Sequence, residues 1–178
     1  MHGNSSCRME SLETVHYLLP QNITMFCFDF AGCGLSEGEF ISLGWWERED
    51  VVMIVELLRE QRRVSTIGLW GRSMGAVTAL LHADRDPSIA AIVLDSPFSD
   101  LSKLVNELAY HYTKIPSFLV SPALKLVAST IKSKVEFDIY KLSPIDHVKN
   151  SFIPALFATA TEDDFIKPHH SQDLHDAY

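Results

Sequence analysis

The sequence predicts an α/β domain with a mostly parallel sheet, helices on both faces and a helical insertion, and three observations carry that expectation. Short apolar runs suited to buried strands, at 23–30, 64–70, 89–94 and 152–159, alternate with stretches whose apolar residues recur at helical spacing. The second run enters Gly71-Arg72-Ser73-Met74-Gly75, a G-x-S-x-G turn that leads straight into a helical pattern. The stretch 99–150 then separates the third run from the fourth, far more chain than a plain crossover needs.

Met1 is followed at once by His2-Gly3-Asn4, a small-residue turn, and by a predicted helix over 9–19 with Met9, Leu12, Val15, His16 and Leu19 inward. The run 23–30 reads as a buried strand. The turn after it, Gly32-Cys33-Gly34-Leu35-Ser36-Glu37-Gly38, could be mistaken for a phosphate cradle. It lacks the lysine of a P-loop and the G-x-G-x-x-G spacing, which favours a structural turn. A helix is expected over 45–61, with Val51, Ile54, Val55 and Leu58 inward and Glu47, Arg48, Glu49 and Arg59 outward; Trp45 and Trp46 could line a site, but packing against the sheet is the favoured role.

The run 64–70 is short, apolar and partly β-branched, as a strand buried on both faces should be. After the G-x-S-x-G turn, residues 74–85 read as a helix with Val77, Leu80 and Leu81 at helical spacing. The small residues have a steric reason: a chain reversing this sharply brings backbone against backbone. Ser73 is expected in an unfavourable φ/ψ region that lifts its Oγ clear of the sheet, above the N–H groups of the next helix. The run 89–94 ends in Asp95-Ser96-Pro97. In the insertion Leu101, Leu104, Val105, Leu108 and Tyr112 form one stripe, and Ser121-Pro122 reads as the cap and first turn of a second helix. The insertion is read as a lid over the C-terminal edge of the sheet, with extra packing as the alternative. In the run 152–159, Pro154 sits near the start, where a missing N–H does least harm.

The 178 residues suit a single domain, 1–178, with 47% apolar composition and no run long enough to span a membrane. A net charge of −8 argues against nucleic acid as a partner. Cys7, Cys27 and Cys33 show no metal-ligand spacing, and an odd count is a poor disulfide framework. With no leader sequence in view, a reducing, cytoplasmic setting is the default expectation.

These residues resemble the α/β-hydrolase superfamily, and most closely its serine-aminopeptidase-like branch, which includes eukaryotic esterases and thioesterases. The matching blocks are His2-Gly3-Asn4, Asp29-Phe30 with Gly32, Gly34, Ser36 and Gly38, Gly68 to Gly75, Leu94 to Phe98, and Asp163 with Phe165, Ile166 and Pro168, in the family's order. The resemblance implies a serine hydrolase acting on an ester, thioester or amide. Ser73 is its nucleophile, Asp163 the acid that orients a histidine, and the backbone N–H groups of Asn4 and Met74 form the oxyanion hole. Asp164 and Asp95 are the competing acids. No metal or cofactor is implied. The implied substrate is a small molecule or an acylated protein, with membrane association of a longer parent left open. A non-catalytic scaffold that binds a partner through the insertion is the alternative.

The resemblance also carries an expectation about extent. Family members have strands before the His-Gly turn, one of them between the runs 23–30 and 64–70, and a further strand and triad histidine after the acid. On that pattern the chain is expected to be the middle of a hydrolase and to have little activity alone. His2 is read as a turn residue, and His82, His111, His147, His169, His170 and His175 as surface or packing residues.

Overall fold

The computed structural model describes residues 1–61, 64–114 and 117–178. Among them, three parallel strands form one sheet in the order β1 (Gly68–Arg72), β2 (Ala91–Asp95), β3 (Ala155–Ala158). The register pairs Gly71 with Leu94 and Leu94 with Phe157. Helix α1 (Leu12–Leu18), preceded by a 3-10 turn at Arg8–Ser11, and helix α2 (Glu47–Glu60) come before the sheet. Helix α3 (Met74–Ala83) crosses from β1 to β2, and α7 (Pro168–Ala177) follows β3. Between β2 and β3 lie α4 (Leu101–Thr113), α5 (Ser117–Val135) and the short α6 (Pro144–His147).

Two cores meet on α3, all ten of whose residues are buried. Ala76 and Leu80 join the main core, where Leu69, Ile92 and Leu94 of the sheet pack against Val51 and Val55 of α2 and Leu174 of α7. Val77 and Leu81 face a second core, formed with Leu101, Leu104, Leu124, Ala128, Phe137 and Leu142 of the insertion. The expected α4 stripe is therefore real for Leu101, Leu104, Val105 and Leu108, while Tyr112 at its end is exposed.

Several expectations need correction. The run 23–30 forms no strand: Ile23 and Phe26 are exposed, and no ladder pairs it with β1. The gap between them is entered by the first residues of the chain. The Met1 carbonyl accepts the Arg72 N–H at 3.2 Å, and His2 Nε2 accepts the Phe30 N–H at 3.2 Å. An apolar run without a ladder partner cannot make a strand, whatever its propensity. The helical pattern at 9–19 does fold, but Met9, Leu12 and Leu19 are more than half exposed because no layer covers them. β1 is buried only on alternate residues, with Trp70 on the uncovered face, and Leu156 of β3 is likewise exposed.

Glu47, expected outward, is buried because its carboxylate accepts the Ser42 and Gly44 N–H groups at 2.7 and 2.9 Å, capping the chain as it enters α2. Trp45 and Trp46 pack on the insertion rather than the sheet: Trp45 lies 6.1 Å from the Phe137 ring, and Trp46 Nε1 donates to the Val135 carbonyl at 3.1 Å. Pro122 does not open a helix but lies inside α5, which begins at Ser117.

Candidate active site

Ser73 stands between the last residue of β1 and the first of α3, with φ 51° and ψ −114°. That region is costly for a residue with a Cβ and persists only when its surroundings fix it. Here both ends are tied. The Ser73 N–H donates to the Asp95 carbonyl at 2.8 Å, and the Ser73 carbonyl accepts the Val77 N–H at 3.0 Å. The Met74 N–H is the first of the helix and has no acceptor a turn behind it, so it remains at the positive end of α3. The strained serine that the motif predicts is therefore present, at the C-terminal end of a parallel strand.

The N-terminal turn flanks it. A Cβ on Gly3 would lie 3.7 Å from Ser73 Cβ and 3.6 Å from the Arg72 carbonyl oxygen, and Asn4 follows as an exposed residue of that turn. His2 is buried and structural. Its Nε2 accepts the Phe30 N–H, so the ring proton sits on Nδ1 and donates to the Gly3 carbonyl at 2.8 Å. Glu10, which the sequence reading passed over, holds the turn by accepting the Gly3 N–H at 3.0 Å and lies 3.4 Å from the Arg72 guanidinium. Burial alone would raise its carboxyl, but the Ser6 hydroxyl and the Gly3 N–H outweigh that and hold it below the usual carboxylate range.

Asp163 lies in the loop after β3, half-buried. Its Oδ1 accepts the N–H groups of Phe165 at 3.0 Å and Ile166 at 2.9 Å, which fixes the carboxylate and leaves Oδ2 outside both bonds. Ser73 directly follows β1 and Asp163 lies in the loop after β3, so both are on the C-terminal side of the sheet. Asp164 is exposed. Asp95 ends β2 between the two, its Oδ1 accepting from the Ser96 hydroxyl at 3.1 Å.

Among the described residues, no imidazole nitrogen hydrogen-bonds Ser73 or Asp163. His147 faces Asp84 at 2.7 Å, His82 lies 3.5 Å from Asp86, and His169 lies 3.0 Å from Glu107. His175 faces Asp176 at 3.1 Å, and His111 packs edge-on against Tyr112.

The glycine-rich turn holds a carboxylate of its own. Asp29 accepts the N–H groups of Arg8 at 2.6 Å and Leu35 at 3.0 Å, and the Arg8 guanidinium closes on its other side. The Leu35 and Arg8 N–H groups hold its carboxyl below the usual range. A side chain on Gly34, at φ +55°, would strike that carboxylate at 2.3 Å. The loop is therefore an anion nest already filled by the chain itself. An open cleft of about 370 Å³ lies between this turn and Asn4, Ser5 and Ser6; neither Ser73 nor Asp163 lines it. No helix among the described residues is long and apolar enough to cross a membrane.

The chain matches one family model, and curated relatives and solved structures resemble it. The family described as serine aminopeptidase, S33, matches residues 1–143. The uncharacterized protein YqkD of Bacillus subtilis is 30% identical over 171 residues, which is 93% of this chain and 54% of that protein. The uncharacterized protein YfhR of Escherichia coli K12 is 27% identical over 110 residues, 60% of this chain and 38% of that protein. The chain thus spans about half or less of the curated relatives it matches. Among solved structures, the Pyrococcus furiosus esterase Pf2001 superposes with a TM-score of 0.76 at 22% identity, covering 99% of this chain and 66% of that one. A Paleococcus ferrophilus monoacylglycerol lipase gives 0.74 at 17% identity, covering 99% of this chain and 77% of that one.

Proposed function

Because the chain belongs to the serine aminopeptidase S33 family of α/β-hydrolases, we propose that it supplies the nucleophile, acid and oxyanion hole of a serine hydrolase that cleaves an ester, thioester or amide. The observation that carries this reading is the strained Ser73, at φ 51°, held at the N-terminus of α3. Ser96 also has φ 51°; what sets Ser73 apart is its place between a β-strand and the first turn of a helix, with backbone bonds on both sides.

In this reading Ser73 Oγ attacks the substrate carbonyl carbon as its proton passes to a base. The negative charge that develops on the carbonyl oxygen is met by the N–H groups of Met74 and Asn4. The leaving group takes up the proton, and water then releases the acyl group from Ser73 by the same route in reverse. Asp163 Oδ2 orients and stabilises the protonated base. In this reading the base is none of the histidines described above: His82, His147, His169 and His175 face other carboxylates. The chain alone is accordingly expected to turn over esters no faster than about tenfold above a Ser73→Ala control. Serine-dependent turnover close to that of an intact relative would mean that a histidine within the chain is the base.

The decisive test is labelling of the whole protein containing these residues by a fluorophosphonate probe, located by mass spectrometry. Labelling at Ser73, lost in Ser73→Ala, supports the reading; a native protein that stays unlabelled refutes it. The second reading, a scaffold that binds a partner through its insertion, is favoured by the exposed Tyr110, Tyr112, Leu126 and Val127 on α4 and α5. It would stand if labelling failed.

A further inference from the structure

Helices α4 and α7 face each other through an unusual set of side chains. Lys103 and Glu107 on α4, one turn apart, meet His169, His170 and Asp173 at the start of α7. One donor atom from each of Glu107, His169 and His170 falls within 4.8 Å of the other two. Both imidazoles present Nε2 to the same carboxylate, His169 at 3.0 Å and His170 at 3.6 Å. His170 is fully buried, and its Nε2 has no hydrogen-bond partner. A buried imidazole nitrogen left unsatisfied is costly and calls for an explanation.

We propose that Glu107, His169 and His170 form a binding site for a divalent transition metal of the zinc class, joining α4 to α7. The spacing fits. Bonds of ~2.0–2.2 Å in a tetrahedron place ligand atoms ~3.3 Å apart, and the two nitrogen–carboxylate separations straddle that value. Imidazole and carboxylate are the donors such ions accept.

Around each ring one outer partner favours metal and one opposes it. Metal on both Nε2 atoms puts the remaining ring protons on Nδ1. His169 Nδ1 lies 3.5 Å from Asp173 Oδ2, and His170 Nδ1 lies 2.8 Å from Ser99 Oγ. A carboxylate and a hydroxyl therefore stand ready to accept those protons and fix both tautomers. The Ser99 N–H also reaches His170 Nδ1, at 3.2 Å, and gives up that bond when metal is held. Lys103 is the adverse charge: its Nζ lies 3.4 Å from His169 Nδ1, held by Asp173 at 2.8 Å. With three protein ligands the fourth position is left for water. The site lies outside the proposed triad and is independent of the reading of Ser73.

The test is calorimetric titration of the EDTA-stripped whole protein containing these residues with Zn²⁺, repeated with Co²⁺. One equivalent is expected to bind and to raise the melting temperature. Glu107→Gln and His169→Asn, both at partly exposed positions, should each weaken binding at least ~10-fold, and Asp173→Asn, which only orients a ligand, by ~10-fold. Lys103→Met should tighten it. His170→Ala empties a buried position, so its far-UV circular dichroism is compared before its affinity is read. Failure to bind Zn²⁺ overturns the proposal, as does binding that stays within twofold in both Glu107→Gln and His169→Asn, which would assign the ion to the cysteines or to other histidines.

Discussion

Replacing Gly71 by alanine tests the steric logic on which the serine's geometry rests. A Cβ at Gly71 would lie 2.1 Å from the Gly75 carbonyl oxygen, 2.2 Å from its carbon and 2.5 Å from the Ala76 nitrogen. All three are backbone atoms of the first turn of α3, so no side chain can rotate away. Relief to ordinary contact, near 3.4 Å, requires β1 and α3 to separate by roughly 1 Å. β1 is fixed by its pairing with β2, and α3 is buried between two cores, so the cost falls at the upper end of overpacking, about 3 kcal/mol. Gly68→Ala, three residues earlier on the same strand, is the control. Its added Cβ meets only the Ala91 carbonyl oxygen, at 3.4 Å, and its effect should be within about 0.5 kcal/mol of neutral. Urea midpoints at constant m-value measure both. In whatever fraction of Gly71→Ala remains folded, a displacement of that size at Ser73 should slow fluorophosphonate labelling of the whole protein by ~100-fold. A Gly71→Ala protein as stable as Gly68→Ala would refute the reasoning.

Three further outcomes are expected. In the whole protein, Asp163→Asn should leave the fold intact and lower turnover by about the ~10⁴-fold seen for triad acids, with Asp164→Asn mild; a large loss in Asp95→Asn instead would move the acid to β2. Burial holds the His82 imidazole below its ordinary pKa, so the unfolded chain takes up that proton first as pH falls. Stability measured by urea should therefore decline from pH 7.5 to 5.5, and His82→Leu should make the decline shallower; an unchanged slope would show that this ring does not drive it. Gly34→Ala, which forces a side chain against the Asp29 carboxylate, should lower stability by about 1–3 kcal/mol, and equal urea midpoints would show that the turn is not built around that anion.

What the sequence makes legible is what local chemistry decides. The strained turn at Ser73 follows from five adjacent residues and the runs on either side, and it stands where the motif predicts. The α3 and α4 stripes are similarly local. The strand expected at 23–30 is not, because a strand exists only when a second backbone lies beside it, and no single run states its partner. Met9, Leu12 and Leu19 fail in the same way: helical spacing names a face without saying what covers it. Glu47 reads as an outward residue and Asp29 only as part of a matching block, yet each is the organising anion of a turn, a role decided by N–H groups that only the folded chain gathers. The cluster of Glu107 with His169 and His170 joins residues some sixty positions apart. An adjacent histidine pair after an apolar strand was the only hint available in the sequence.

The position of α3 between two cores sets a limit on how the insertion can move. Swinging it away as a unit would uncover Val77 and Leu81, at ~1.5–3 kcal/mol for each side chain exposed, along with the insertion residues packed on them. That is a substantial part of the ~5–15 kcal/mol that holds a domain folded. Opening of the insertion and loss of the serine's own helix are therefore nearly one event, and amide hydrogens in α3 should exchange only at the rate of global unfolding. Gating of a substrate path is left to the C-terminal end of α4 and the outer face of α5, where Tyr110, Tyr112, Leu126 and Val127 already stand in water.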